Sequence, residues 1–370
     1  MANILFPSIR NLSVVPPVIN AINHLSESND ITVFSYTGDK DQYHSNTSTY
    51  FLSREKYPKK FFQRVRVILV TQFRLLAFLK KRIDKFDYIW VGVNDFYFLF
   101  NFLTLLGFKG KTIFHLHELQ KRKFRNSKKA DFVIVPDENR AWIAYLLAGL
   151  KRKPFVLPNI PVFPDSLNDE YKGELTILRK TMPGVKIVLY QGFIDYGSRC
   201  ILELLQAFTF LDDNIRLVIM PSSQLRKGLL LKLSGDIDNL KLKERVSVIN
   251  TVKAPYHLLT VKQADLGIGL YRATSLNQVY AAPNRLFEFT RFTIPVILPD
   301  FPYFNHLAER YQYAVNTADP GNPGEIAKTI KRVLSPENYK IAKMNSEKFT
   351  RECGNYKLYF DKIWTEITSS

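Results

Sequence analysis

The chain has 370 residues, of which 46% are hydrophobic and 14% aromatic, a composition that excludes a disordered protein and suits two domains of ordinary size. Its two cysteines, Cys200 and Cys353, exclude a disulfide-stabilised scaffold and indicate a reducing compartment. The N-terminus lacks a basic segment followed by a long apolar core, and no stretch reaches about 18 uninterrupted apolar residues, so we expect neither a secretory signal nor a membrane-spanning helix.

The net charge of +18 is concentrated in the first part of the chain. Residues 1–160 contain 25 Lys and Arg against 12 Asp and Glu, whereas the remaining residues contain 27 against 22. A positive field attracts anionic lipid, nucleic acid and phosphorylated substrates about equally well. Charge alone therefore does not select a partner.

Short apolar segments rich in β-branched residues alternate with helical patterns, which is typical of a parallel, doubly wound sheet. In the first half we predict strands over residues 3–6, 31–36, 88–93, 112–116 and 132–136, and residues 155–159 close this half. Neither GxGxxG nor GxxxxGK[ST] follows the first strand. This absence argues against a classical dinucleotide site and against a P-loop.

The segment from Pro58 to Lys85 is predicted to form a long amphipathic helix. Apolar residues at 62, 65, 69, 73 and 76 keep helical spacing, others widen this stripe, and nine basic residues accompany one acid, Asp84. The excess apolar surface suits a membrane interface whose headgroups meet the basic residues, and a second basic cluster at 121–129 supports this interpretation. The alternative is a packing helix with solvated charges.

Polar residues follow two predicted strands of the first half. Asp95 comes after the strand at 88–93, and His117 and Glu118 come after the strand at 112–116. Ligands bind outside the carboxyl ends of parallel strands, so Asp95, His117 and Glu118 are candidates for acid or base work on an acceptor hydroxyl. His115 alternates to the other side and is predicted to pack in the core.

The second half repeats the strand and helix pattern. A buried strand over 185–190 is followed by Gly192, and a glycine directly after a strand lets a ligand approach the backbone. Arg199 is predicted near the positive end of a helix over 199–208. The polar loop over 272–282 contains Arg272 and Asn277 and is suited to grip phosphates and a sugar.

Residues 280–300 read YAAPNRLFEFTRFTIPVILPD and predict a helix from about Pro283 to Arg291, then a buried strand. Asn284 is expected to hydrogen-bond a free amide of the first turn, and Arg285 adds positive charge where a phosphate would bind. Glu288 lies in an otherwise apolar turn, where the ribose hydroxyls of a ligand would satisfy its carboxylate. The alternative is a glutamate on the solvent face of a surface helix.

The string PNRLFEFTRFTIPVILPD resembles the PNKLFEYMAxGxPVIxxD signature of nucleotide-sugar glycosyltransferases with the GT-B fold, particularly those similar to glycosyltransferase family 4. The resemblance implies that Glu288 binds the donor ribose and that the start of its helix faces the diphosphate. Thr293 replaces the glycine of the signature. Tyr280 stands where many retaining members carry a second acid, which leaves the stereochemical outcome open.

Three shorter segments resemble the same family. FHLHEL at 114–119 resembles YDSHEL of the acceptor domain, with His117 and Glu118 on its His-Glu pair, and FVLPN at 155–159 resembles VVPNG at the domain junction. LYQG at 189–192 with Arg199 resembles LYQGxxxxxRGLEELIxAF, which implies that Gly192 approaches the donor and Arg199 holds the diphosphate. Cys200 replaces the glycine that follows this arginine. In relatives the loop matching Asn250, Thr251 and Val252 touches the nucleotide base through backbone groups.

Together these patterns predict the α/β class, with two Rossmann-like, doubly wound domains facing a cleft, as in the GT-B fold. We predict an acceptor-binding domain over residues 1–160 and a nucleotide-sugar-binding domain over 161–350. A C-terminal helix over 351–370 is predicted to cross back to the first domain, as the resemblance implies.

The predicted function is a hexosyl-type glycosyltransferase of cell-surface polysaccharide biosynthesis that moves a sugar from a nucleotide-diphosphate sugar to a lipid-linked glycan. It would be cytoplasmic, peripheral on the inner face of the membrane. Beyond the donor substrate we expect no cofactor, and no metal: the chain has no HExxH or cysteine pair, and its DxD-like segments at 39–41 and 212–214 lie among turn residues. If the reaction inverts, Asp95, His117 or Glu118 must deprotonate the acceptor, whereas a retaining reaction can use the donor phosphate.

The sequence leaves two other functions open. A nucleotide-sugar 2-epimerase on the same fold would use the donor alone and would not need a basic, lipid-facing helix. A non-enzymatic nucleic-acid-binding protein would use the basic first half, although no nucleic-acid-binding motif is present and we expect no nucleic-acid partner.

Overall fold

The computed structural model describes residues 1–9, 12, 15–53, 57–58, 60–92, 99–119, 127–162, 173–181 and 183–370. The chain divides into two compact units. Unit 1 comprises Met1–Pro161 together with Tyr356–Ser370, and unit 2 comprises Val162–Asn355. Asp95 and residues 121–126 of the second basic cluster lie outside the described residues.

A seven-stranded parallel sheet forms the centre of unit 1. Its strands are β1 (Asn3–Ser8), β2 (Asp30–Ser35), β3 (Ser48–Phe51), β4 (Tyr88–Val91), β5 (Lys111–His115), β6 (Phe132–Val135) and β7 (Phe155–Val156). They pair in the order 3-2-1-4-5-6-7. The strand order reverses at β1, between β2 and β4, which makes the carboxyl end of β1 the switch point of a doubly wound sheet. Strand β3 was not predicted, because its residues are only partly buried and form no apolar run.

A six-stranded parallel sheet forms the centre of unit 2. Its strands are β8 (Lys186–Gly192), β9 (Ile215–Pro221), β10 (Val246–Val248), β11 (Leu266–Ile268), β12 (Val296–Pro299) and β13 (Val315–Ala318). The order is 10-9-8-11-12-13, with every pair parallel. Strand β8 therefore lies between β9 and β11, and its last residue, Gly192, is at the switch point.

Helices connect the strands in both units. In chain order they are α1 (Pro16–Leu25), α2 (Phe61–Lys80), α3 (Phe100–Leu103), α4 (Glu138–Ala148), α5 (Glu174–Thr181), α6 (Ile201–Phe208), α7 (Lys227–Asn239), α8 (His257–Val261), α9 (Leu276–Val279), α10 (Asn284–Thr290), α11 (Pro302–Arg310), α12 (Pro323–Leu334), α13 (Pro336–Cys353) and α14 (Tyr356–Ser369). Among the described helices, none combines the length and the hydropathy needed to span a bilayer.

Helices cover both faces of the unit 1 sheet. On one face Phe78 of α2 packs on Phe34 of β2 with ring centroids 5.1 Å apart. On the other face the last helix, α14, belongs to unit 1: Phe360 stacks on Trp90 of β4 at 6.0 Å. The Asp361 carboxylate of the same helix lies 2.7 Å from the ring of His24 in α1.

In unit 2 a glycine sets the position of the helix that carries Glu288. A Cβ on Gly267 of β11 would lie 2.4 Å from the ring of Phe289 in α10, so only glycine allows this close approach. The neighbouring residues Leu286 and Phe287 are also buried. Helix α10 is thus held tightly against the sheet, and the side chain of Glu288 is carried into the interior.

The carboxylate of Asp265, directly before β11, joins three parts of unit 2. It accepts hydrogen bonds from Arg179 of α5 at 2.7 Å and from the Ile187 amide of β8 at 2.8 Å. Tyr339 of α13 donates a third at 3.3 Å. Burial alone would raise the pKa of Asp265, but the hydrogen bonds from Arg179 and Ile187 hold it below its ordinary value.

We expect Asp265→Ala to lower the free energy of unfolding of unit 2 by about 3 kcal/mol, because it leaves buried donors without their acceptor. A carboxyl whose folded-state pKa is depressed stabilises the protein above its unfolded-state pKa, at about pH 4, and this contribution disappears as the pH falls through the folded-state pKa. Urea denaturation of wild type and variant should therefore show a difference near neutral pH that shrinks on acidification. A difference that is independent of pH would contradict this role.

Candidate functional site

The carboxyl end of β8 brings two candidate residues, Gly192 and Arg285, into contact. Gly192 has a φ of 134°, a backbone conformation that residues with side chains rarely adopt. A Cβ at this position would lie 2.8 Å from Nη2 of Arg285 in α10. The glycine therefore leaves the space in which the guanidinium of Arg285 crosses the end of the strand.

The guanidinium groups of Arg199 and Arg285 lie near each other beside this strand end. Arg199 faces the ring of Tyr271 at 5.4 Å, and Arg285 faces the ring of Tyr190 at 5.3 Å. Burial lowers the pKa of Arg199, and the positive charge of Arg285 lowers it further. An arginine side chain is not deprotonated in proteins, so each of the two groups carries a positive charge.

No salt bridge balances these two cations within the described part of the chain. The charge of Asp195 attracts Arg199 without a salt bridge between them, and Arg285 is hydrogen-bonded to the Tyr190 side chain. Nε of Arg199 and Nη1 of Arg285 are buried without a hydrogen-bond acceptor, and neither guanidinium forms a salt bridge with a described carboxylate. Buried charges are ordinarily paired, and two adjacent cations also repel each other. Two adjacent guanidinium groups with unused donors are chemically suited to bind an anion.

Glu288 lies inside unit 2, with only 8% of its surface exposed, so it is not on a solvent face. Its carboxylate accepts a hydrogen bond from Nε2 of Gln191 at 2.5 Å and lies 3.3 Å from Nε2 of His257 in α8. Oε1 of Gln191 and Nδ1 of His257 are buried and have no hydrogen-bond partner among the residues described. Each of the two residues beside the carboxylate thus keeps one buried polar atom without a hydrogen-bond partner.

The contacts of Gln191 and His257 with Glu288 were not predicted from the sequence. Gln191 carried a usable signal, since it is a polar residue at the end of an apolar strand, directly before Gly192. His257 carried none, because only the tertiary structure brings the short helix α8 next to α10.

The predicted cap of the Glu288 helix is wrong. We expected Pro283 inside the first turn and Asn284 bonded to a free amide, but α10 begins at Asn284 and Pro283 occupies the N-cap position. Pro283 has an extended backbone with ψ of 130°, and no side chain caps the helix. Asn284 is half-buried at the start of α10, next to Arg285.

Four other donor-site candidates lie in loops and a short helix of unit 2. Asn250 is exposed, and its amide donates to the Glu174 carboxylate of α5 at 3.0 Å. Thr251 and Val252, which follow it, are half-buried. Asn277 is half-buried in α9.

Arg272 differs from the two unpaired arginines. Its guanidinium forms a salt bridge with Glu203 of α6, and its amide donates to the carbonyl of Ser198 at 2.8 Å. The charge of Arg272 is therefore already balanced by a carboxylate. Its backbone contact fixes the loop after β11 next to the segment that carries Arg199.

In unit 1, His117 and Glu118 follow the carboxyl end of β5 and are half-buried. The carbonyl of His117 accepts a hydrogen bond from Arg140 of α4. The ring centroids of His117 and His115 are 4.1 Å apart. His115 is fully buried, as expected for a packed histidine, and burial holds its pKa well below the ordinary value. The imidazole ring of His117 therefore lies beside the neutral imidazole of His115.

We expect Gly192→Ala to weaken anion binding at the paired arginines. The new Cβ would occupy the space of the Arg285 guanidinium and would also strain a backbone at positive φ. Calorimetric titration with a nucleoside diphosphate should show a loss of affinity of about tenfold or more. A matched control is Gly228→Ala in α7, where a Cβ meets nothing within 4 Å. Equal affinity of the two variants would contradict the close approach.

Two units, each a parallel doubly wound sheet with helices between its strands, define this chain as a protein of the GT-B fold class, which confirms the predicted fold. No protein-family profile matches the chain, and no curated protein matches its sequence. The fold is shared with solved structures at low sequence identity.

Three of these structures illustrate the similarity. Anabaena HepE, solved in complex with UDP and glucose, is 13% identical, with a TM-score of 0.74 over 100% of both chains. An α,α-trehalose 6-phosphate synthase of Burkholderia multivorans is 14% identical, with a TM-score of 0.74 over 100% of this chain and 99% of that one. The sucrose-phosphate synthase of Thermosynechococcus elongatus is 14% identical, with a TM-score of 0.73 over the same shares of the two chains.

Proposed function

We propose that this chain is a glycosyltransferase that takes a hexosyl group from a nucleotide-diphosphate sugar. The observation that carries the proposal is the pair of unpaired guanidinium groups, Arg199 and Arg285, at the switch point of unit 2. Ligands of doubly wound sheets bind at such a point, and two adjacent cations match the charge of a diphosphate. HepE, which shares the fold, was solved with UDP and glucose.

In this proposal each donor group has its own partner in unit 2. Arg199 and Arg285 bind the diphosphate and stabilise the charge that develops on it as the sugar leaves, a task that requires no bound metal ion. The Glu288 carboxylate accepts hydrogen bonds from the ribose hydroxyls. Gly192 gives the diphosphate access to the backbone. The loop of Asn250, Thr251 and Val252 contacts the base through backbone groups other than the Asn250 amide, which donates to Glu174.

The acceptor is proposed to be a lipid-linked glycan of cell-surface polysaccharide assembly, bound by unit 1. The support is the excess of basic residues in this part of the chain and the exposed apolar residues of α2. His117 and Glu118, at the carboxyl end of β5, are the described candidates for deprotonating an acceptor hydroxyl in an inverting reaction. The protein would then work at the inner face of the cytoplasmic membrane.

The test is transfer of labelled sugar from UDP-, GDP- or ADP-hexoses to a lipid extract in the presence of EDTA. One donor should label the lipid fraction and release nucleoside diphosphate, with no dependence on metal. Isomerised sugar from donor alone would favour the 2-epimerase instead. A gel shift with nucleic acid that persists at physiological salt, without donor turnover, would overturn the proposal in favour of a nucleic-acid-binding protein.

A further inference from the structure

One face of the unit 1 sheet is covered by α2, α3 and α4. Phe78 of α2 packs on Phe34, and Phe100 of α3 packs on Phe114 with ring centroids 5.7 Å apart. The register of the paired strands directs Phe34 and Phe114 to the same side of the sheet. Helix α3 connects β4 to β5, and helix α4 connects β6 to β7 in the same direction across the sheet. Crossovers between parallel strands are right-handed, so α4 lies on the same side of the sheet as α3.

Helix α2 carries an apolar stripe on each of two opposite sides. The first contains Val67, Leu75 and Phe78 and packs on the sheet. The second has a spacing of three to four residues and is exposed: Phe62 (86% exposed), Val65, Leu69 and Phe73 (74% exposed). The packing-helix alternative accounts for the first stripe only.

A second exposed apolar group lies on the same face of the sheet. Trp142 and Leu146, one helical turn apart on α4, are 49% and 72% exposed and lie opposite the buried Ala141 and Ala144. Leu105, in the turn after α3, is also exposed. We call the exposed stripe of α2 together with Leu105, Trp142 and Leu146 the outer face.

The charge around the outer face is mostly positive. Residues 60–82 contain seven Lys and Arg and no Asp or Glu. On α4 the one acid, Glu138, is bonded to Lys153, whose ammonium lies 4.8 Å from the ring centroid of Trp142. A protein partner would have to present acidic groups between apolar ones at matching positions, whereas an anionic bilayer supplies negative headgroups above an apolar layer everywhere.

We propose that the outer face of unit 1 binds an anionic bilayer, with α2 and α4 lying in the interface as two separate anchors. This deepens the proposed function, on which it rests only for the nature of the acceptor. Two anchors on one face fix the orientation of the sheet, whose plane is then held above the lipid by about one helix diameter, roughly 10–12 Å. His117 and Glu118, at an edge of this sheet, are thereby kept at a constant height above the membrane.

Flotation of the full chain with vesicles tests the proposal. We expect binding to phosphatidylcholine vesicles that contain phosphatidylglycerol, weaker binding in high salt and little binding to phosphatidylcholine alone. Phe62→Ser with Phe73→Ser should lower partitioning by about tenfold or more, and so should Trp142→Ser with Leu146→Ser. The matched control is Leu230→Ser with Leu231→Ser, two exposed leucines on α7 of unit 2, which should bind like wild type.

Quenching by brominated lipid separates two anchors from one. The chain has three tryptophans. Trp90 is buried in the core, and Trp364 of α14 packs near it on the other face of the sheet. Quenching that is lost in Trp142→Tyr therefore reports contact of α4 with lipid. Quenching unchanged by Trp142→Tyr would overturn the second anchor. Equal binding to neutral and anionic vesicles would contradict the proposal that the partner is an anionic bilayer. A dimer of the chain that dissociates on the same substitutions would instead identify a second copy of the chain as the occupant of the outer face. Thermal stabilisation of the protein by a nucleotide-sugar donor measures binding to unit 2. It therefore tests the proposed function independently of membrane binding by unit 1.

Discussion

Arg285→Met is expected to weaken donor binding strongly and leave the protein at least as stable as wild type. Loss of charge-assisted hydrogen bonds to a diphosphate should weaken binding by about 3 kcal/mol, or roughly 100-fold. Removing one of two adjacent cations relieves their repulsion, so the free energy of unfolding should be unchanged or rise by about 1 kcal/mol. Calorimetric titration and denaturation on the same sample measure both quantities.

Arg272→Met is the matched control for this prediction. It removes the same side chain from the same unit, but there the guanidinium is paired with Glu203. We expect this variant to lose about 1 kcal/mol of stability, since the pair is partly exposed. If Arg285→Met were the more destabilised of the two variants, Arg285 would be a structural residue and the anion site would be refuted.

Glu288→Gln is expected to remove discrimination between ribose and deoxyribose. The substitution keeps the volume of the buried side chain but removes the charge that strengthens hydrogen bonds from hydroxyl groups, worth about 1.5–3 kcal/mol. Wild type should bind a nucleoside diphosphate about tenfold or more better than its deoxy analogue, whereas Glu288→Gln should bind the two nearly equally. Titration of each of the two proteins with each of the two nucleotides gives the four affinities of a complete thermodynamic cycle.

The cycle also separates a ribose contact from a purely structural role. Glu288 holds Gln191 and lies beside His257, so its replacement disturbs unit 2 as well as a ligand. A structural effect would weaken nucleotide and deoxynucleotide by the same factor and would keep the discrimination of wild type. Gln191→Leu serves as a comparison, since it removes a partner of the carboxylate but leaves the carboxylate in place.

The α/β class and most strands were predictable, because buried parallel strands are short apolar runs that need no tertiary information. Strand β8, for example, follows directly from VKIVLY. The structure also explains the two positions where the chain departs from glycines of the family pattern. Cys200 and Thr293 have φ of 52° and 58°, so the backbone keeps a left-handed conformation that glycine adopts without strain.

The interior of the candidate site was less predictable than its position. Gly192, Arg199, Arg285 and Glu288 were predicted from motifs, and their roles remain predictions. The contacts of Glu288 with Gln191 and His257 depend on how α8 and α10 pack, which local patterns do not specify. The pairing of Arg272 with Glu203 likewise joins residues distant in sequence, so the motif could not distinguish a paired arginine from an unpaired one.

Thermal shift of the full chain with UDP-, GDP-, ADP- and CMP-sugars tests most directly whether unit 2 binds a nucleotide-diphosphate sugar. One diphosphate donor at roughly 100 times its Kd should stabilise the protein by about 2.7 kcal/mol, a shift of several degrees, and a CMP-sugar with its single phosphate should do less. The shift should vanish when Arg199 and Arg285 are both replaced by methionine. Absence of any shift at millimolar donor, or an equal shift in the double variant, would contradict donor binding at the paired arginines.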